Sequence, residues 1–154
     1  YIVIPCNTAS YFFDEIQKEV SAKVINILEE TSKVVLKDNP KRIGLMATDG
    51  TIKSGAYHKF IDNDLLFVPD SEYQAKVMNI IYDKVKKNKE VSLEEFEEIL
   101  NYFRKNGCEI IILGCTELSV VYSYLKIRYN DIVDSLTVLA KKTVEVSGKK
   151  LKEL

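Results

Sequence analysis

The sequence predicts an α/β protein built on a parallel four-stranded sheet with flanking helices. Three observations carry that prediction. Short apolar runs rich in Ile, Val and Leu alternate along the chain with longer segments of helical periodicity. Turn residues mark the changes of period, as at Asn39-Pro40, Asp49-Gly50, Pro69-Asp70 and Asn106-Gly107. No Gly/Ser-rich linker or low-complexity stretch interrupts the alternation. Such a rhythm predicts right-handed crossovers, with ligands gathering at the carboxyl ends of the strands.

Tyr1 to Ile4 reads as a strand, and a helix is expected from Ser10 to Lys18. Ile25, Ile27, Leu28, Val34, Val35 and Leu36 predict a helix over residues 23–37, which Asn39-Pro40 ends. Arg42 to Ala47 (RIGLMA) is a buried strand, followed by the turn Thr48-Asp49-Gly50-Thr51 and a helix from Ser54 to Ile61. Leu65 to Val68 (LLFV) is the next strand, and a long helix is expected from Glu72 to Lys87. Ser92-Leu93-Glu94-Glu95 is a capping box: a hydroxyl at the N-cap and a carboxylate three residues on satisfy the first free amides reciprocally. The helix it opens stops at Asn106-Gly107, a left-handed cap. Glu109 to Leu113 (EIIIL) and Ile132-Val133 are further strands. The last helix is expected to turn Leu136, Leu139, Ala140, Val144 and Leu151 inward.

With 22 basic and 23 acidic residues among 154, the net charge of −1 offers no field for nucleic acid or an anionic membrane. Every apolar run is far shorter than the ~20 residues a spanning helix needs. Three cysteines, an odd number, read as reduced thiols of a cytoplasmic protein. A single His leaves no His/Cys metal cluster, so no metal is expected.

The chemistry lies in two matched stretches. YIVIPCNTA ends an apolar strand in Cys6, followed by Asn7, Thr8 and Ala9. EIIILGCTE ends another in Cys115, followed by Thr116 and Glu117. At such addresses backbone amides face whatever binds, and a following helix start favours negative charge, thiolate included. One cysteine after a strand is ordinarily a small buried apolar residue. Two of them in equivalent turns suggest facing acid/base groups, as proton transfer at a stereocentre requires: one group removes a proton and the other returns one on the opposite face. Cys108, before a strand and without a polar turn after it, reads as core, and His58 as a bystander.

PCNTA and GCTE, with LMATDGT between them and IVDSLTVLAKKTVE after, resemble the aspartate/glutamate racemase family, which works without pyridoxal phosphate. The resemblance spans essentially the whole chain. It implies a two-base proton transfer at Cα of an acidic amino acid, with Cys6 and Cys115 as the acid/base pair and no cofactor. It also implies two pseudo-symmetric α/β domains with the site between them, and a homodimer at full length. On that reading residues 23–127 form one domain, while 1–22 and 128–154 are parts of the other. The chain is then an amino-terminally shortened piece, expected to fold but to be inactive alone, with an arginine for the substrate carboxylate lying in the missing part.

Carried over by position, Asn7, Thr8 and the Ala9 backbone would bind substrate polar groups beside the first thiol, and Thr116 beside the second. Lys86 falls where aspartate-type members place a lysine for a substrate carboxylate. It also sits among Lys84, Lys87 and Lys89 near a helix end, where cations favour the dipole anyway. Thr48 and Thr51 either cap a helix or touch ligand. Ser10 resembles the glutamate form and Glu117 the aspartate form, with aspartate preferred. Two other readings stay open: an amino-acid-binding module without catalysis, and a redox pair of thiols, which would need Cα atoms within ~7 Å.

Overall fold

In the computed structural model, which describes residues 1–151, the two most apolar runs pair along their whole length. Ile43–Ala47 (β3) and Ile110–Gly114 (β5) lie parallel, in register from Ile43 opposite Ile110 to Ala47 opposite Gly114. All five β3 residues are buried, as a strand covered on both faces requires. Leu66–Phe67 (β4) joins β3 on one side, and Ile132–Asp134 (β6) joins β5 on the other. The resulting order β4-β3-β5-β6 is the expected parallel four-stranded sheet.

Alternation across the strands makes two cores. One face sets Met46, Ile111 and Leu113 against Ser71–Met78 (α4), Leu93–Lys105 (α5) and Thr116–Tyr124 (α6). The other sets Ile43, Leu45, Ala47 and Ile112 against Ile27–Val35 (α2), Tyr57 and Ser135–Val146 (α7). Gly44 lets the Phe103 ring lie against the sheet; a Cβ there would stand 2.5 Å from the ring. Cys108 is buried, and burial pushes its thiol up to about 11, in keeping with a core role.

Several elements differ from expectation, each for a local reason. Residues 23–37 are not one helix: Val24–Ile25 (β2) is a strand, and Asn26 then caps α2 by accepting from the Leu28 amide. The new strand pairs parallel with Ile2–Val3 (β1), so the opening strand has a partner within the chain. Phe13–Glu19 (α1) connects them after a 3₁₀ turn at Ala9–Phe12. The helix expected from Ser54 starts early, as Asp49–Lys53 (α3), because the Thr48 side chain accepts from the Thr51 amide. What remains of that prediction is a 3₁₀ turn at Ala56–Lys59 after Gly55, whose φ is 65°. The helix expected over 72–87 divides into α4, a π-helical turn at Asn79–Lys84 and a 3₁₀ turn at Val85–Lys87. The capping box on α5 forms as read, with Gly107 left-handed beyond its end.

In α7, Leu139 is buried and Leu136 and Val144 half-buried, but Ala140 is exposed, and Leu151 is exposed beyond the helix end. Beyond residue 127, β6 hydrogen-bonds to β5 and α7 packs on α2. Among the described residues no helix is long and apolar enough to cross a membrane.

Strand order locates the site. From β3 the chain moves outward to β4, then crosses back to β5 on the opposite side of β3. The carboxyl ends of β3 and β5 therefore flank a switch point, where a crevice opens in parallel sheets.

Candidate active site

Thr48 and Cys115 are the next residues after the paired Ala47 and Gly114, so both stand at that switch point. Gly114 sits in a crowded place: a Cβ there would lie 3.1 Å from side-chain atoms of both Ala47 and Leu45, which would have to give way by a few tenths of an ångström. Cys115 is the N-cap of α6, in extended conformation, and only 9% exposed. Its Sγ donates to Glu117 Oε2 at 2.9 Å, and the Thr116 hydroxyl donates to the same oxygen at 3.0 Å. Lys86 Nζ lies 3.6 Å from the other carboxylate oxygen and 4.0 Å above the centre of the Tyr82 ring.

The electrostatics of this cluster run one way. Burial first, and the Glu117 carboxylate second, push the Cys115 thiol up to about 12. Burial alone would raise Glu117, but hydrogen bonds from Cys115 and Thr116, with Lys86 nearby, hold it below the usual carboxylate range. Partial burial works against the charge on Lys86, and Glu117, Tyr82 and Cys115 together outweigh it, raising the ammonium. The result is a neutral thiol, a carboxylate and an ammonium in contact. Tyr82 also lines a cavity of about 730 Å³, together with Asp49, Gln74 and Met78.

The first thiol sits differently. Cys6 is exposed in a turn whose carbonyl accepts from the Ser10 amide at 3.1 Å and the Ser10 hydroxyl at 2.9 Å. The Ala9 amide points at its Sγ from 3.4 Å. The Thr8 hydroxyl meets Thr51 at 2.8 Å and Thr48 at 3.2 Å, and those two are 3.2 Å apart. Thr48 thus both caps α3 and faces the Cys6 turn. Asn7 is 2% exposed and turned into the fold: its amide nitrogen donates to Ser135 Oγ at 3.0 Å, and its oxygen accepts from the Tyr57 hydroxyl at 2.6 Å. It therefore ties the turn to the scaffold.

The structure thus gathers Lys86, Cys115, Thr116 and Glu117 into one cluster and Thr8, Thr48 and Thr51 into another. His58 is exposed on its 3₁₀ turn, apart from both. All three cysteines are free. Tyr57 and Ser135 escaped sequence reasoning, although Ser135, the first residue after β6, repeats the strand-end address of Thr48 and Cys115.

The family model for Asp/Glu/hydantoin racemases matches residues 1–143. The chain belongs to this racemase family. Among curated relatives it is similar to the broad specificity amino-acid racemase RacX of Bacillus subtilis, at 29% identity over 94% of this chain and 63% of that protein. It is also similar to the glutamate racemase of Sulfurihydrogenibium, at 30% identity over 97% of this chain and 61% of the relative. Among solved structures, the aspartate racemase of Picrophilus torridus superimposes with a TM-score of 0.79 at 28% identity, covering 98% of this chain and 63% of that one. This racemase-family chain therefore spans a little over three-fifths of the length of the racemases it matches.

Proposed function

We propose that this chain carries both acid/base groups of a cofactor-independent amino-acid racemase acting on an acidic amino acid, with aspartate preferred. The observation that carries the reading is the Cys115–Glu117–Lys86 cluster at the switch point, with the Cys6 turn fastened to Thr48 on the neighbouring strand end. In one direction Cys6, as thiolate, takes the Cα proton while the Cys115 thiol delivers its own to the opposite face. The reverse direction exchanges the roles, so one proton is removed and one returned in each turnover. Glu117 favours Cys115 as the proton-loaded member at rest, because a carboxylate beside a thiol opposes thiolate. Lys86 offers a cation for the substrate's side-chain carboxylate and supports aspartate over glutamate through its short tether to Glu117.

The test is exchange of the Cα proton of aspartate and glutamate with deuterated solvent, in the full-length protein without added cofactor. Cys6→Ser and Cys115→Ser should each abolish racemisation while one-sided exchange survives. Normal racemisation by both variants would refute the two-thiol reading. Ligand binding by calorimetry with no exchange at Cα would establish the amino-acid-binding module instead. Lys86→Met should raise KM for aspartate more than for glutamate; an equal rise would remove the aspartate preference.

A further inference from the structure

One hydroxyl touches both thiol-bearing segments. Ser135 Oγ donates to the carbonyl of Leu113, two residues before Cys115, at 2.7 Å, and accepts from the amide of Asn7, the residue after Cys6, at 3.0 Å. The other end of the Asn7 amide is held by the Tyr57 hydroxyl at 2.6 Å. Asn7, Tyr57 and Ser135 are 2%, 1% and 1% exposed. Burial keeps the Tyr57 phenol a neutral donor, and the Thr31 hydroxyl, buried without a hydrogen bond of its own, lies beside it. Buried polar chains of this kind hold geometry firmly, because every member that loses its partner bears a desolvation penalty.

From this geometry we infer that Ser135 and Tyr57 are positioning residues that set the Cys6 turn at a fixed place relative to Cys115. The inference rests on the two-thiol reading for its catalytic consequence, but the clasp itself is structural. Within this chain β1 pairs with β2 over two residues, and the hydrogen bonds of Asn7 are what tie the Cys6 turn to the end of β5. A two-stranded pairing is marginal alone, while acid/base groups must be held to about half an ångström. Neither residue reaches a reacting atom; both act through Asn7.

The experiment compares Ser135→Ala and Tyr57→Phe with Ser147→Ala, a control that removes an exposed hydroxyl from just beyond the same helix. Backbone amide exchange is followed across residues 6–12 and across β5, and Cα exchange is followed separately from each enantiomer of aspartate in the full-length protein. The expected result is roughly tenfold faster amide exchange at 6–12 in both variants, with β5 unchanged, consistent with one lost buried hydrogen bond. At the substrate, kcat should fall with KM little altered, and exchange should slow for the one enantiomer whose proton goes to Cys6. Unchanged protection at 6–12 would overturn the clasp. An equal loss for both enantiomers, or loss of β5 protection, would reduce Ser135 and Tyr57 to general stabilisers and overturn the positioning role. If the unmodified protein exchanges neither enantiomer, the racemase reading fails, and the amide measurement still decides the clasp on its own.

Discussion

Cys6 and Cys115 occupy look-alike sequence, yet the fold gives them opposite surroundings. Cys115 follows a five-residue strand at the centre of the sheet, is buried, and hands its proton into a hydrogen bond with Glu117. Cys6 follows a two-residue strand at the margin, is exposed, and is held by side chains of other elements reaching across to Asn7 and Thr8. The contrast teaches that a strand end can be fixed in two ways, by its ladder or by its turn. On the proposed two-thiol reading, a symmetric reaction would start from an asymmetric pair, one thiol buried beside a carboxylate and the other exposed.

The sharpest way to break this comparison is to measure the two thiols directly. A thiol pushed up to about 12 is ionised at neutral pH only to a fraction on the order of one part in 10⁵. At pH 7.5, iodoacetamide should therefore modify Cys6 at least about a thousandfold faster than Cys115, read by peptide mass spectrometry. Comparable rates would mean that the two turns are equivalent after all.

The second prediction asks the same of the strands. Ile112 in β5 is fully buried and Ile2 in β1 only half-buried. Ile112→Ala should cost about 2–5 kcal/mol, as cavity-forming core changes do, and Ile2→Ala about 1 kcal/mol or less. Urea midpoints decide it, and similar losses would show that the opening ribbon is as firmly built as the central sheet.

A smaller effect tests the charge beside Cys115. Removing the carboxylate with Glu117→Gln should lower the thiol's pKa, since the carboxylate opposes thiolate, but burial, the larger cause, remains. Alkylation of Cys115 near pH 9 should accordingly rise by about tenfold. No rise would leave burial as the sole cause. The same variant carries the smallest prediction. Glu117 titrates below its usual range in the fold, so its contribution to stability is present above the unfolded carboxylate range and lost as pH falls through the folded value. Glu117→Gln should therefore flatten the acid side of the stability profile slightly, and an unchanged profile would show that Glu117 adds nothing to folding.

Much of the sheet was legible in sequence because parallel strands buried on both faces announce themselves as apolar runs; Ile43–Ala47 and Ile110–Gly114 are the clear cases. The capping box on α5 was legible for the same kind of reason, being a local pattern with a local cause. What escaped depended on partners distant in the chain. Val24-Ile25 scans equally as helix or strand until Ile2-Val3 is beside it. That Asn7 also hydrogen-bonds Tyr57 and Ser135 appears only when residues 50 and 128 positions away are beside it. Lys86, one lysine among several near a helix end, was separable from its neighbours by position in the family pattern; only the tertiary fold brings it to Glu117.

The π-helical turn at Asn79–Lys84 acts on that same lysine as a phase shifter. An α-helix advances about 100° per residue, so the wider turn offsets every later side chain relative to the face that came before. Ile80 and Ile81 stay buried in the core, while Lys86 passes over the Tyr82 ring to reach Glu117. Shortening the turn by one residue, to restore plain α-helix, would rotate Lys86 by about 100°, and with it Val85, which packs against the core, so the direction of the site's cation is encoded in a residue count as much as in a residue type.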